Sequence, residues 1–515
     1  MLKKLIIGLS AASFALSIHS GIAMADKADS SLTWATTREI PAAIPYYENV
    51  REMTIIGMNV WDGLLYRNPK TFEYEPLLAE SYKWADNKTL EFKIRKGVKF
   101  HDGTNLGPDD VVATYNHVAA EDSGVLTRRN VSWIDHAEKV NDDTVLVHLK
   151  ETFPSALEFV ATVLPILPAS IWDTAKVGAQ GKPDYATIKP IGSGPYKITG
   201  FTPGVSVVME KFADYWKGSP KGSPTIKKVT YRTVSDPEAQ IAEVLSGSVD
   251  LIWDVSREKA EQIDQASLAK VVSSATMRIN YINMDRAGRT GKGKENPFFD
   301  KRVRQAVAHA INRDLIAKEL VGGASAKIHS ACFPTQFGCT EDVIKYEFNP
   351  EKAKKMLADA GYPNGFTTDI YAYRDRPVTE AVMGYLAEVG IKTNLKYMQY
   401  KAFRENVWND TAGFHEGTWG SYSVNDVSAS TSAFFKGGRD DYCQDDEIKS
   451  WLETGDTSVD PAARKAAYKK ALSKIASEAC WLPMFAYSRY YVFNKDLDFT
   501  PAPDGFAEFY ATKWK

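Results

Sequence analysis

The stretch at residues 93–112, KIRKGVKFHDGTNLGPDDVV, constrains the fold of this chain more than any other. Phe92 and Ile94 alternate with Lys93 and Arg95, the period of a half-buried strand. Lys96-Gly97 ends that strand. His101-Asp102-Gly103-Thr104 makes a second turn, where glycine adopts backbone angles that other residues resist. Pro108 suits a first helical turn, which does not need its missing N–H, and Asp109 and Asp110 favour the positive helix end. The segment therefore predicts a strand, a double turn and a helix start, and none of its residues is catalytic in itself.

The N-terminus reads as an export signal. Lys3 and Lys4 precede an apolar, small-residue-rich run over 5–16, and Ala23-Met24-Ala25 fits an A-x-A cleavage site. The expectation is a signal peptide at 1–25 and a mature chain from Asp26. The run is too short for a stable anchor, and no other segment reaches about 18 uninterrupted apolar residues. No cysteine lies near the cleavage site, so export without a lipid anchor is expected, into the periplasm of a two-membrane cell.

A length of 515 residues suggests about three domains. Hydrophobic content of 44% supports large cores, and 63 basic against 65 acidic side chains provide no basic field for nucleic acid. Charge runs such as 352–355 read as solvated helix faces. Four cysteines, Cys332, Cys339, Cys443 and Cys480, would enter an oxidising compartment, where an even number favours disulfides. Three pairings are open. The preferred one closes a short loop between Cys332 and Cys339 and ties a surface loop to the Trp481 strand through Cys443 and Cys480. Zinc is the weaker alternative, because no C-x2-C pair is present.

Strand-rich and helix-rich segments alternate without an internal repeat, so the class is mixed α/β. Residues 31–36, 90–94 and 144–149 read as strands, 52–65 has helical spacing, and 196–198 with 205–209 reads as a hairpin. Val303, Val307, Ala310 and Ile311 make one apolar helix face; Ala353, Met356, Leu357 and Ala360 make another.

Several of these segments closely resemble the family 5 extracellular solute-binding proteins, the peptide- and nickel-type receptors of ABC importers. The 93–112 stretch is similar to that family's "LRKGVKFHDGTPFTAEDVV". PIGSGPY at 190–196, DYW at 214–216, GSVDL at 247–251, NPFFDKRVRQAVAHAIN at 296–312 and NPEKAKKMLADAG at 349–361 resemble its other motifs, in the same order. The resemblance implies a two-lobed periplasmic binding protein fold with three domains. A core domain would be assembled from 26–63, 188–276 and 487–515. A second domain, 64–187, would be inserted in it. A third, 277–486, would face the core domain across a ligand cleft.

Catalytic patterns are missing. There is no G-x-S-x-G elbow, H-E-x-x-H, Walker A loop or complete G-x-G-x-x-G, and Pro195 after Gly192-Ser193-Gly194 argues against a phosphate cradle. The histidines after the leader are His101, His117, His136, His148, His309, His329 and His415, none paired at helical ligand spacing. His136 and His148 read as surface or strand residues rather than ligands. Receptors of that family that carry nickel could use a lone histidine, for which His415 is the weaker reading here. No metal and no cofactor is expected.

The resemblance implies the cleft residues. Arg374 and Arg376, in YAYRDRP, are candidates to meet a ligand carboxylate, Arg374 first, because a guanidinium pairs bidentately with two oxygens. Related peptide receptors carry an aspartate for the peptide amine shortly after a tryptophan. This chain departs from them: Trp419 is followed by Gly420, Ser421 and Tyr422, and the first acid is Asp426. Either Asp426 reaches back, or the ligand has no free α-amine there. Trp419 and Tyr422 would stack on a ligand or pack beside the strand. From CWLPMFAYSRYY, Phe485 and Tyr487 share a face by alternation, and Tyr487 is the candidate contact. Arg38 or Glu39 would contribute from the first cleft loop.

The implied function is a monomeric periplasmic receptor without a catalytic step. It would capture a small solute, with peptide as the default, and deliver it to an inner-membrane ABC permease with ATPase subunits. The alternatives are a non-peptide solute (an opine, modified amino acid, glycoside or metal chelate) or a sensor or chaperone on the same fold.

Overall fold

The computed structural model describes residues 27–178 and 181–515. The expected leader lies outside the described residues. The chain forms a mixed α/β fold with several sheets. Strand Ser31–Thr36 pairs in parallel with Lys228–Thr233 on one side and Leu251–Trp253 on the other. The hairpin Tyr196–Thr202 and Ser206–Lys211 extends that edge. Phe414–Trp419, Phe366–Ala372 and Ile391–Tyr397 form the other end of the same large sheet.

Two long antiparallel strands join these halves. Lys270–Met284 has 15 residues and Trp481–Phe493 has 13. Tyr491, Val492 and Phe493 pair with Leu251–Trp253, whereas Ile279 to Met284 pair with Phe414–Trp419. Between those ends the register shifts twice, between Ala275 and Ile279 and between Asn280 and Tyr281. Such bulges bend a strand and sharpen its twist. The apolar cores divide at the same place: Tyr491 and Phe493 belong to the cluster around Trp34 and Tyr231, while Leu482, Met484 and Phe485 belong to the cluster around Ile282 and Val307.

A second, four-stranded antiparallel sheet has the order Ala79–Asp86, Thr89–Ile94, Thr144–Leu149, Ile134–Lys139. Helix Pro108–Ala119 packs on it, with Pro108 in its first turn and Asp110 Oδ2 accepting the N–H of Gly107 at 2.8 Å. Phe92 and Ile94 are buried and Lys93 is exposed, the alternation of a one-sided sheet. The residues at 64–187 share their core with the first half of the large sheet.

The helical spacing at 52–65 becomes a shorter helix, Arg51–Val60. Trp61 is extended, and Leu64 and Leu65 are buried from non-helical backbone, Leu65 within strand Leu65–Arg67. Gly63 allows the backbone to pass close to Val160: a Cβ there would stand 2.6 Å from the Val160 carbonyl oxygen. Disulfides join Cys332 to Cys339 and Cys443 to Cys480. No helix among the described residues is long and apolar enough to cross a membrane.

Candidate functional site

Register places the carboxyl ends of the parallel strands of both halves at the bulged join. Trp253 lies opposite Tyr491 while Leu251 lies opposite Phe493; Trp419 lies opposite Ile279 while Phe414 lies opposite Met284. Ligands of open α/β sheets bind in the crevice outside the carboxyl ends of the strands. The bulge itself carries Arg278. Across from it stands Tyr487, and the loop after Phe366–Ala372 brings Tyr373, Arg374 and Asp375 alongside.

The polar groups here form one network. Arg278 donates to Thr418 Oγ1 at 3.1 Å, and the same hydroxyl is 2.9 Å from that of Tyr373. A Cβ on Gly420 would stand 2.8 Å from an Arg278 nitrogen, so that glycine makes room for the guanidinium. Arg374 Nε lies 3.5 Å from Asp375, and its guanidinium sits 5.7 Å from the Tyr487 ring centre. Tyr487 donates its hydroxyl to Asp375 and accepts from Asn280 Nδ2 at 3.2 Å. Asn280 also donates to Glu416 at 2.7 Å, and Thr379 donates to the other Glu416 oxygen.

Burial lowers the pKa of Arg278, and the charge of Arg374 adds to the effect. Burial pushes the Glu416 carboxyl up to about 7. Among the described residues, Arg278 has no carboxylate within ion-pair distance. Two guanidiniums beside one carboxylate and a phenol suit a solute that brings its own negative charge.

Of the residues expected at the cleft, Arg374 and Tyr487 stand in this crevice. Arg376 begins helix Arg376–Glu388, is exposed, and pairs with Glu380 at 2.7 Å, one turn along. Phe485 shares a face with Tyr487 and meets its ring at 5.2 Å, but it is sealed in the core. Trp419 donates its indole N–H to the Ala429 carbonyl at 2.7 Å and packs edge-on against Phe434.

The segment after Trp419 has an unusual backbone. Ser421, Tyr422 and Ser423 have φ of 42°, 54° and 65°, left-handed values that favour glycine. Ser421 is buried, while Tyr422 is 62% exposed and lies under the Arg129 guanidinium at 3.2 Å. Asp426 does not reach back as a free amine acceptor. It is buried, bonded to Arg464 at 2.7 Å and to the Ser428 N–H at 3.0 Å, so its charge is already matched.

Arg38 and Glu39 are exposed on the loop after Ser31–Thr36. His415, the position considered for metal contact, is buried with Nδ1 bonded to the Ala412 carbonyl at 2.7 Å, and burial lowers its pKa to about 4. Arg278 and Glu416 were not singled out in the sequence. Arg278 sits in an ordinary strand alternation, and only the bulge presents it to the crevice.

A cavity of about 480 Å³ lies beside the crevice, lined by Glu48, Arg51, Arg129, Glu158, Tyr422 and Phe506 among others. Glu158, in its lining, belongs to a buried ion triad in which Arg67 bonds both Glu158 and Asp504. Glu158 also accepts the Asn425 N–H at 3.0 Å, which pins the left-handed segment against this triad. Tyr422 lines the cavity and meets Trp419 edge-on at 5.8 Å, so it stands between cavity and crevice.

Residues 73–442 match the family described as bacterial extracellular solute-binding proteins, family 5 Middle. The chain is 25% identical over 462 residues to the glutathione-binding protein GsiB of Pectobacterium atrosepticum, with 85% of each protein covered. HbpA2 from Haemophilus parasuis superposes with a TM-score of 0.82 at 24% identity, over 94% of this chain and 100% of that one. The periplasmic murein tripeptide binding protein MppA, in its unliganded open form, also gives 0.82 at 17% identity, over 94% and 97%. Both likenesses establish the binding-protein fold.

Proposed function

Because the chain belongs to the bacterial extracellular solute-binding proteins, family 5, non-enzymatic substrate-binding proteins of ABC importers, we propose that its ligand is a short, acidic, peptide-like solute. The observation that carries this reading is the Arg278–Arg374 pair, in which Arg278 has no carboxylate partner among the described residues. A half-buried cation without a counter-ion is costly, and a ligand carboxylate removes that cost. Asp375, bonded to Tyr487 and beside Arg374, takes the ligand amine in place of the aspartate missing after Trp419. Tyr422 packs against the remainder of the solute and leads into the cavity. The similarity to GsiB, a glutathione-binding protein, and to MppA, a murein tripeptide binding protein, supports a peptide-like ligand.

Closure follows from the two-strand join. In this reading the core domain (26–63, 188–276 and 487–515) and the third domain (277–486) form the two lobes, and 64–187 is the inserted domain. A solute bonded to both lobes stabilises the closed form over the open one by its differential affinity. The closed receptor docks on an inner-membrane permease and releases the solute for ATP-driven import.

Titration calorimetry with glutathione and with trialanine tests this assignment. Glutathione carries two carboxylates and one α-amine; trialanine carries one of each. The expected result is tighter binding of glutathione, and a loss of about 1.5–3 kcal/mol in Arg278→Ala and in Arg374→Ala, the range for hydrogen bonds to charged groups. Equal affinity in the wild type and both variants overturns the site.

A further inference from the structure

The four-stranded sheet brings together three side chains that solute binding does not use. Strands Ile134–Lys139 and Thr144–Leu149 pair antiparallel with His136 directly opposite His148. Glu138 follows His136 by two residues and so lies on the same face. Among the described residues, this is the one group of three such side chains whose potential ligand atoms all lie within 4.8 Å of one another. The two imidazoles stack, with centroids 4.4 Å apart and planes inclined by 20°. His148 Nε2 is 3.2 Å from Glu138 Oε1, near the edge length of about 3.3 Å that bonds of about 2.0–2.1 Å give a tetrahedral zinc ion.

The surrounding hydrogen bonds orient both rings. His136 Nδ1 is 2.8 Å from Asp135 Oδ2, an arrangement in which Nδ1 carries the proton and Nε2 keeps its lone pair. His148 Nδ1 is 3.3 Å from Thr89 Oγ1, so the hydroxyl oxygen accepts a hydrogen bond from the Nδ1–H when Nε2 binds a metal. Two imidazole nitrogens select borderline divalent ions over magnesium and calcium. The helical spacing sought in the sequence does not apply here, because strand register supplies the convergence.

We propose that His136 Nε2, His148 Nε2 and the Glu138 carboxylate form a surface site for one borderline divalent transition-metal ion, zinc foremost, with water in the fourth position. The site lies on a different sheet from Arg278 and Arg374 and does not depend on the ligand assigned to them. His136 and Glu138 are half-exposed and His148 is 26% exposed at its side chain, so substitutions there leave the core intact.

The test uses the untagged, metal-free mature chain, titrated with Zn2+ by calorimetry and with Co2+ by visible absorption. The expected result is one Zn2+ per chain and the d–d band of tetrahedral Co2+. Glu138→Gln should weaken Zn2+ binding by roughly tenfold or more. The double variant His136→Ala/His148→Ala should lose both the heat and the Co2+ band, with an unchanged circular dichroism spectrum. The proposal is overturned if the double variant binds Zn2+ like the wild type, or if the wild type takes up none at millimolar Zn2+.

Discussion

His101 grips the backbone at Gly194: its Nε2 lies 3.0 Å from the Gly194 carbonyl oxygen, while its Nδ1 accepts the Gly192 N–H at 3.1 Å. This fixes the tautomer, with the proton on Nε2, because Nδ1 must keep its lone pair for Gly192. The contact joins two loops whose residues resembled the family, HDGT at 101–104 and PIGSGPY at 190–196. Their shared sequence signature therefore has a structural cause, since each loop holds the other.

A pH dependence follows. Burial lowers the His101 pKa from 6.5 to about 4. Between those values the unfolded chain binds a proton that the folded chain refuses. The stabilisation is complete above about pH 6.5 and is lost as pH falls toward 4, by on the order of 3 kcal/mol. His117, His329 and His415 are lowered in the same direction, so the measurement is a difference. Urea denaturation at pH 5 and pH 7 should show a smaller loss of stability in His101→Gln than in the wild type.

Gly194 also tolerates no side chain. A Cβ there would stand 2.6 Å from the Val60 carbonyl carbon, and backbone cannot move aside as a flexible side chain can. Gly194→Ala should lower stability by about 3 kcal/mol or more, seen as a reduced urea midpoint with an unchanged slope.

Asp426 and Arg464 are both buried and share the 2.7 Å contact. Asp426→Ala leaves Arg464 charged and unmatched and should cost about 3–5 kcal/mol of stability. Asp426→Ala/Arg464→Met should recover part of that loss. Ligand affinity should remain near the wild-type value in the double variant, because Asp426 is committed to Arg464. Calorimetry alongside thermal denaturation separates the two effects.

Ser421 holds a left-handed backbone at φ 42° and a buried hydroxyl without a hydrogen-bond partner. Both are costs that glycine avoids. Ser421→Gly should raise stability by about 1 kcal/mol, measured by thermal denaturation. A lower stability would contradict this reading of Ser421.

Local features were legible where local forces decide them. Ser31–Thr36 and Thr144–Leu149 follow from alternation, and the helix at Pro108 follows from its proline and first-turn acids. Site details depended on distant partners. Asp426 looked free because Arg464, 38 residues away, cannot be seen from its own loop. Phe485 and Tyr487 share a face by alternation, yet the second half's core seals one and leaves the other half-buried. Arg278 was hidden because a bulge, unlike a period, leaves no mark in the spacing of its own strand.

The most direct test is native mass spectrometry of the freshly purified protein, followed by denaturation and identification of what is released. The expected result is one bound solute per chain, peptide-like and carrying at least one carboxylate, that is absent from Arg278→Ala/Arg374→Ala prepared in parallel. Release of a neutral compound, or of the same solute from the double variant, would contradict it.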